Sequence, residues 1–238
     1  MVPRLLVFDL DGTLIDSQID LSNSINAMLA HLGRPQLPHA VIASYIGDGA
    51  SMLVRRALGD PEGDVCDEEY VTKALTYFLD YYRVHKLDFT YVYDGVVDSL
   101  EAMRAEQPTL AMAVLTNNPV RPSHDICAHF GLDRFFFQNY GGNSFHTKKP
   151  DPTGLLALIA EASELDRAAA PIRPEETVMI GDSGVDILTA RNCGAWAVGC
   201  AYGLAPHSLA AAGPDALSNS PADWPETLRG LAQTTIAD

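Results

Sequence analysis

Short apolar runs that alternate with amphipathic segments constrain the fold of this chain more than any other feature. The apolar runs cover residues 4–8, 110–115, 135–139, 177–180 and 195–199. The helical patterns between them lie near residues 95–106, 119–130, 152–163 and 184–193. Each run is apolar throughout rather than alternating, which is typical of strands covered on both faces. Strands separated by helices favour crossover connections, so the sequence predicts an α/β fold built on a parallel sheet.

A long helical segment interrupts this alternation directly after the first run. Its helical patterns cover residues 17–32, 38–45, 49–58 and 67–84, and no strand pattern lies among them. We therefore predict that an α-helical domain of residues 16–91 is inserted into a core formed by residues 1–15 and 92–238.

Composition limits the classes of function. The chain has 238 residues, and 47% of them are apolar, which is enough to build a substantial core. The formal net charge of -15 argues against nucleic-acid partners and against anionic membrane surfaces. The four cysteines form no C-x-x-C pair, so a disulfide framework is not expected. The first apolar run stops at Asp9, so we expect no secretory signal and a cytoplasmic protein. A monomer and a homodimer are both compatible with the sequence.

Polar residues collect at the carboxyl ends of the predicted strands. Asp9 and Asp11 follow the first run, Thr116 and Asn117 follow the run at 110–115, and Asp182 follows the run at 177–180. Ligands of open parallel sheets bind beyond the carboxyl ends of the strands. The sequence therefore predicts that these loops converge on one crevice.

Four motifs give this arrangement a family resemblance. They read DLDGTLIDS at 9–17, LTNN at 115–118, KKPDP at 148–152 and GDSGVDI at 181–187. In this order they resemble the motifs of the haloacid dehalogenase superfamily of phosphohydrolases, and the helical insert resembles the cap of that superfamily. The resemblance implies a Rossmann-like parallel sheet core with an inserted α-helical cap domain.

The resemblance also implies roles for the acidic residues. Asp9 would be the nucleophile that forms an aspartyl-phosphate, and it would also bind a metal. Asp11 would act as general acid and then as general base, with its backbone carbonyl on the metal. Asp182 would complete an oxygen shell suited to Mg²⁺. Asp186 has two open interpretations, a water-mediated contact with the metal or a favourable charge in the first turn of a helix.

The remaining motif residues would bind the phosphate. Thr116 and Asn117 would donate hydrogen bonds to phosphate oxygens, although both could instead cap the following helix. Lys149, directly before a proline, would pair with the nucleophile and the phosphate and is preferred to Lys148. Ser183 is predicted to be a helix N-cap rather than a catalytic group.

Departures from the motifs favour one activity within the superfamily. Relatives that cleave carbon–halogen bonds lack the second aspartate, which this chain keeps as Asp11. Mutases tend to carry Glu-Asp where this chain has Gly181-Asp182. The resemblance therefore implies a Mg²⁺-dependent phosphatase that acts on a small phosphorylated metabolite. A sugar-phosphate mutase similar to β-phosphoglucomutase, and a non-catalytic binding protein on the same scaffold, are the alternatives.

The stretch at 44–58 resembles the cap loop of phosphoglycolate phosphatases. Gly47 and Gly49 would let the loop backbone approach the substrate. Arg55 or Arg56 could bind a substrate carboxylate, although both could equally be solvated helix residues. Asp48 would repel such a carboxylate unless its side chain turns away from it.

Overall fold

A computed structural model describes residues 2–165 and 170–234 of the chain. The strands are β1 (Leu5–Phe8), β2 (Ile15–Asp16), β3 (Tyr91–Val92), β4 (Ala111–Leu115), β5 (Gln138–Tyr140), β6 (Thr177–Gly181), β7 (Trp196–Cys200) and β8 (Ala216–Ser218). The helices are α1 (Gln18–His31), α2 (His39–Ala43), α3 (Ala50–Leu58), α4 (Glu68–His85), α5 (Val96–Glu106), α6 (Val120–His129), α7 (Thr153–Leu165), α8 (Gly184–Cys193), α9 (Leu209–Ala212) and α10 (Trp224–Thr234).

Six strands form one parallel sheet in the order β5-β4-β1-β6-β7-β8. The central strand β1 pairs with β4 and β6, so that Leu5 lies opposite Ala111 on one side and Thr177 on the other. This sheet confirms the predicted α/β fold. The eight predicted helical patterns also correspond to helices, and their ends differ by at most two residues.

The predicted strand at 135–139 is partly wrong. Residues Asp133–Phe135 form a single 3₁₀ turn, and the strand covers Gln138–Tyr140 instead. Phe135 is buried and Phe136 packs against the same apolar cluster, so the aromatic run reports burial rather than strand. The short edge strand β8 has no counterpart among the predicted strands, because its three residues are too few for a pattern.

Apolar side chains cover both faces of the sheet. Along β1, Leu6 and Phe8 join the cluster on one face, whereas Leu5 and Val7 join the cluster on the other. This alternation follows from the strand geometry, in which successive side chains point to opposite faces. All four side chains are fully buried. Each such burial stabilises the fold by about 1.5–3 kcal/mol, and the strand carries Asp9 into a rigid position at its carboxyl end.

Helices α1–α4 form a separate apolar cluster, and we call Gln18–His85 the cap. Ile25, Met28, Ala74, Phe78 and Tyr82 are at most 1% exposed within this cluster. The predicted division at residues 16 and 91 stays a prediction, and this separate cluster supports it. None of the helices in the described ranges combines the length and the apolar character that crossing a lipid bilayer requires.

A two-stranded antiparallel ribbon joins the cap to the sheet. Strand β2 leaves the core and β3 returns to it, with Ile15 opposite Val92 and Asp16 opposite Tyr91. Sequence patterns do not reveal strands of two residues, and this ribbon was not predicted. It keeps both connections to the cap side by side.

The buried Asp20 of α1 fastens the returning chain to the cap. Its carboxylate accepts hydrogen bonds from the Phe89 and Thr90 backbone N–H groups and from the Thr90 hydroxyl, at 2.7–3.1 Å. Asp20 is 1% exposed, so these donors satisfy a charge that water does not reach. These hydrogen bonds hold residues 89–90, which follow the cap, against the first turn of α1, so the two ends of the cap lie together.

Candidate active site

Lys149 joins two carboxylates at the carboxyl end of the sheet. Its Nζ lies 2.8 Å from Asp9 Oδ1 and 2.6 Å from Asp186 Oδ1. The Lys149 side chain is 2% exposed, and those of Asp9 and Asp186 are 9% and 0% exposed. A buried charge is tolerated only when it is paired, so these three groups form one electrostatic unit. The structure thus brings Asp9 and Lys149 together as the sequence predicts.

Asp182 lies at the end of β6 and is held by backbone donors. Its Oδ2 accepts hydrogen bonds from Leu204 N at 2.7 Å and from Ala205 N at 2.9 Å. Asp9, Asp182 and Asp186 each offer one carboxylate oxygen, and these three oxygens lie within 4.8 Å of one another. The predicted pair of Asp9 and Asp182 is therefore joined by Asp186, while a role for the Asp11 carbonyl stays a prediction.

Asp186 has a contact that neither of its two interpretations included. Besides its pair with Lys149, its Oδ2 accepts hydrogen bonds from Ser183 N at 3.1 Å and from Ser183 Oγ at 2.7 Å. Ser183 is the N-cap of α8, as predicted, and Asp186 completes a capping box there. A Cβ on Gly181 would lie 2.2 Å from the Asp186 carboxyl carbon, so glycine is required for this close approach.

We predict that Gly12→Ala destabilises the protein much more than Gly33→Ala. Both glycines have a positive φ, of 82° and 67°, so both substitutions strain the backbone by about 1 kcal/mol. A Cβ on Gly12 would lie 2.1 Å from Asp182 Oδ2, whereas nothing lies within 4 Å of one on Gly33. We expect Gly12→Ala to lower the free energy of unfolding by about 3 kcal/mol in total. Urea denaturation of both variants measures this, and equal losses would contradict the packing argument.

Asp11 is held from two sides. The Ser17 hydroxyl donates a hydrogen bond to Asp11 Oδ1, and Asn118 Nδ2 donates one to Asp11 Oδ2 at 3.0 Å. Burial raises the pKa of the Asp11 carboxyl, and these two hydrogen bonds oppose that rise. The pKa of Asp11 therefore lies above its ordinary value, while its role as acid and base stays a prediction.

The site concentrates negative charge. Burial raises the pKa of the Asp9 carboxyl from 3.8 to about 7, although the Lys149 charge opposes that rise. Burial, and then the charges of Asp186 and Asp9, raise the pKa of Asp182 well above its ordinary value. Burial would lower the pKa of Lys149, but the charges of Asp186 and Asp9 outweigh it, so this pKa is raised.

The donor set fits a divalent cation. The site holds the four carboxylates of Asp9, Asp11, Asp182 and Asp186. Among the described residues Lys149 is the one cation that forms ion pairs with any of them, and it pairs with Asp9 and Asp186. Carboxylate oxygens are the ligands that Mg²⁺ prefers in proteins. A bound cation would offset the excess charge that burial makes costly. The structure therefore supports a metal site at these carboxylates.

We predict that Asp9→Asn raises the thermal stability of the metal-free protein at pH 7.5. The pKa of Asp9 is raised on folding from 3.8 to about 7, so the folded state loses stability as pH rises between these values. Asparagine removes that charge, and its stabilising effect should shrink at pH 5. Melting temperatures in chelator at both pH values measure the effect. A pH-independent difference between the two proteins would contradict it.

The loop after β4 contacts both the cap and the backbone of Lys149. The Thr116 hydroxyl accepts a hydrogen bond from Asn118 N at 3.1 Å within this loop. The N-cap of α6 is Pro119, so the alternative in which Thr116 and Asn117 cap that helix is wrong. Asn117 Nδ2 donates to Gly47 O of the cap at 3.2 Å and to Lys149 O at 3.1 Å. Asn117 therefore links the cap loop to the lysine, and phosphate binding by Thr116 and Asn117 stays a prediction.

The two cap-loop glycines lie close to this core loop. Gly47 and Gly49 have φ values of 122° and 84°, which L side chains rarely adopt. A Cβ on Gly49 would lie 2.9 Å from Asn117 O and 3.3 Å from Lys148 Nζ. Lys148 Nζ also donates a hydrogen bond to Asp48 O. Glycine is thus needed for the loop to reach the core.

The cap arginines bind carboxylates of the cap itself. Arg55 pairs with Asp60, at 2.9 Å, and with Glu68. Arg56 pairs with Asp48 and donates to the Tyr45 carbonyl at 2.9 Å. The suggested role of these arginines in binding a substrate carboxylate therefore lacks support, and the charge of Asp48 is compensated within the cap.

A small cavity lies between the cap and the acidic site. Asp9, Asp11 and Asn118 line it from the core. The cap side is largely apolar and includes Leu21, Ile46, Leu53, Phe78 and Tyr82. Phe78 and Tyr82 therefore belong to the cap core and also face the site, which the helical pattern at 67–84 does not show.

The fold and this site together define a capped hydrolase of the α/β class. A model of the haloacid dehalogenase-like hydrolases matches residues 6–200, so the chain belongs to that family. The match confirms the resemblance drawn from the four motifs.

Within this family, the chain is similar to several proteins named phosphoglycolate phosphatase. The chain is similar to phosphoglycolate phosphatase 1 of Pseudomonas aeruginosa, with 39% identity over 85% of this chain and 71% of the relative. It is 37% identical to a phosphoglycolate phosphatase of Chromobacterium violaceum, over 92% of this chain and 94% of the relative. A crystal structure described as a predicted phosphoglycolate phosphatase from Haemophilus somnus 129pt superimposes with a TM-score of 0.83. That superposition covers 94% of this chain and 97% of the other at 30% identity.

Proposed function

We propose that this protein is a Mg²⁺-dependent phosphatase that hydrolyses a small phosphomonoester through an aspartyl-phosphate on Asp9. The observation that carries the proposal is the buried Lys149 ammonium between Asp9 and Asp186, at 2.8 and 2.6 Å, beneath a cavity closed by the cap. A nucleophilic carboxylate must be ionised and oriented, and a paired lysine does both.

In this proposal each step of the reaction is carried out by a different side chain. Asp9 attacks phosphorus, and Lys149 keeps it ionised while compensating charge on the phosphoryl oxygens. Asp11 donates a proton to the departing oxygen and then accepts one from the water that hydrolyses the aspartyl-phosphate. Thr116 and Asn117 donate hydrogen bonds to the phosphate. The cap excludes bulk water from these steps.

Mg²⁺ fits the carboxylate cluster of this proposal. Asp9 and Asp182, together with the Asp11 carbonyl, would hold it, and Asp186 lies close enough to contribute. Bound there, the cation neutralises negative charge on the phosphoryl group.

Phosphoglycolate is the first substrate to test, because the relatives at 37–39% identity carry that name. The cap side of the cavity presents Leu21, Leu53 and Phe78 rather than a cationic side chain. We therefore propose that a carboxylate on the substrate would be recognised by backbone groups near Gly47 and Gly49.

Phosphate release from a panel of small phosphomonoesters, with Mg²⁺ and with chelator, tests the proposal. We expect Mg²⁺-dependent release from at least one alkyl phosphate and from p-nitrophenyl phosphate. An isomerised sugar phosphate without free phosphate would indicate a mutase instead. Absence of turnover across the panel would overturn the enzyme assignment and favour a binding protein.

A further inference from the structure

We propose that Tyr82 of the cap positions the acid/base group Asp11 through Asn118, so that leaving-group protonation depends on a seated cap. The inference rests on the proposed phosphatase function and assigns a positioning residue to it. The amide nitrogen of Asn118 lies between the two groups, 3.0 Å from Asp11 Oδ2 and 3.1 Å from the Tyr82 hydroxyl.

The direction of these hydrogen bonds is fixed by their chemistry. An amide NH₂ group carries two hydrogens and no acceptor, so Asn118 Nδ2 donates to both oxygens. One hydrogen holds the Asp11 carboxylate and the other holds the tyrosine oxygen. The tyrosine is fully buried and the asparagine is 8% exposed, so water does not compete effectively for either bond.

The backbone of Asn118 is already fixed by the core. Its N–H donates to Thr116 Oγ1 at 3.1 Å, and its carbonyl accepts from Gly142 N at 2.8 Å. Only the side chain is left to rotate. An acceptor on the cap selects the rotamer that aims the amide at Asp11, because both hydrogens are then used.

Tyr82 belongs to the cap rather than to the core. It lies on α4 within the apolar cluster of the cap, and its ring stacks on Phe78 with a centroid distance of 5.8 Å. Its hydroxyl reaches the core loop by way of Asn118. Lifting the cap would remove the second acceptor and release the amide. Asp11 would then keep only the hydrogen bond from Ser17.

The predicted consequence depends on the leaving group. An alkoxide needs protonation as it departs, whereas p-nitrophenolate departs without it, so a misplaced general acid impairs only the first. We expect Tyr82→Phe to lower kcat/KM about tenfold for an alkyl phosphate such as phosphoglycolate and less than about twofold for p-nitrophenyl phosphate. The parameter kcat/KM is chosen because it reports on steps up to departure of the alcohol.

Two further variants separate positioning from general damage. Tyr81→Phe makes the same chemical change one residue earlier on α4, where the ring stacks on His85, and should leave both substrates unaffected. Asn118→Ala should reproduce the selective loss. The double variant Tyr82→Phe/Asn118→Ala should lose no more than Asn118→Ala, because both act through one contact.

Three results would overturn the inference. An equal loss on both substrates would show that Tyr82→Phe disturbs the cap as a whole. No loss on either substrate would show that the contact does not serve Asp11. If the wild-type protein turned over neither phosphate in the presence of Mg²⁺, the proposed function would fail and this inference with it.

Discussion

Asp9→Asn is expected to lower phosphatase turnover by at least about 10³-fold while the protein stays folded. The asparagine amide has nearly the shape of the carboxylate but is not a nucleophile. It also replaces the ion pair with Lys149 by a neutral contact, and Lys149 keeps its second partner, Asp186, at 2.6 Å. The fold should therefore tolerate the change, as the predicted gain in thermal stability without metal also implies.

Initial rates of phosphate release at saturating Mg²⁺ measure this loss. Asp16→Asn is the matched control, since Asp16 belongs to the same motif. Its carboxylate contacts Gln18 N at 3.0 Å and the Tyr91 hydroxyl at 3.1 Å in the ribbon that leads to the cap. We expect turnover within about threefold of wild type for this control. Wild-type turnover in Asp9→Asn would show that another group attacks phosphorus.

The parts of the fold that could be predicted are those in which burial dominates. Strands β1, β4, β6 and β7 are covered on both faces, so their apolar content alone marks them. Strands β2 and β3 have two residues each and owe their conformation to pairing across the chain, as Asp16 with Tyr91. No local pattern carries that information.

In the site too, local sequence marks some residues, whereas others are placed by contacts between distant parts of the chain. Asp9 and Asp182 could be placed together because each directly follows a parallel strand, and the carboxyl ends of these strands converge. The pairing of Lys149 with Asp9 was implied only by the family resemblance, since Lys149 lies in the segment between β5 and α7. The contact of Asn118 with Tyr82 joins a core loop to a cap helix 36 residues away. It depends on how the cap packs on the core, which motif spacing does not specify.

The interpretations of Asp186 and Arg55 show a second limit. Sequence suggested a metal contact or a helix charge for Asp186, but its shortest ion pair is with Lys149. The sequence left Arg55 available to a substrate carboxylate, but its guanidinium group forms ion pairs with Asp60 and Glu68. A charged residue in a motif shows that a partner is needed, and only the three-dimensional arrangement shows which partner it finds.

Lys149→Met is expected to lower both stability and activity. Methionine keeps much of the side-chain volume but leaves the carboxylates of Asp9 and Asp186 buried without their counter-ion. Breaking a buried ion pair on one side typically costs about 3 kcal/mol or more of folding free energy. Loss of the charge that orients Asp9 and balances the phosphate should lower kcat/KM at least about 100-fold.

The stability loss should depend on pH. Because burial already raises the pKa of Asp9 to about 7, removing the lysine charge that opposes this rise increases it further. At pH 5, below the pKa of this carboxyl in both proteins, the missing lysine charge costs little through Asp9. At pH 8 the wild-type carboxylate is ionised and stabilised by Lys149, whereas the variant lacks that counter-ion. Urea denaturation in chelator should show a larger deficit at pH 8 than at pH 5.

Lys148→Met is the control for the stability and activity losses. Lys148 is the neighbouring lysine, and it donates to the Asp48 carbonyl of the cap loop rather than to a carboxylate of the site. A methionine there leaves no carboxylate without its ion-pair partner, so we expect a loss of about 1 kcal/mol that does not vary between pH 5 and pH 8. Comparable effects of the two variants would mean that the ion pairs of Lys149 contribute no more than a single hydrogen bond. The assignment of Lys149 as the residue that keeps Asp9 ionised would then be wrong.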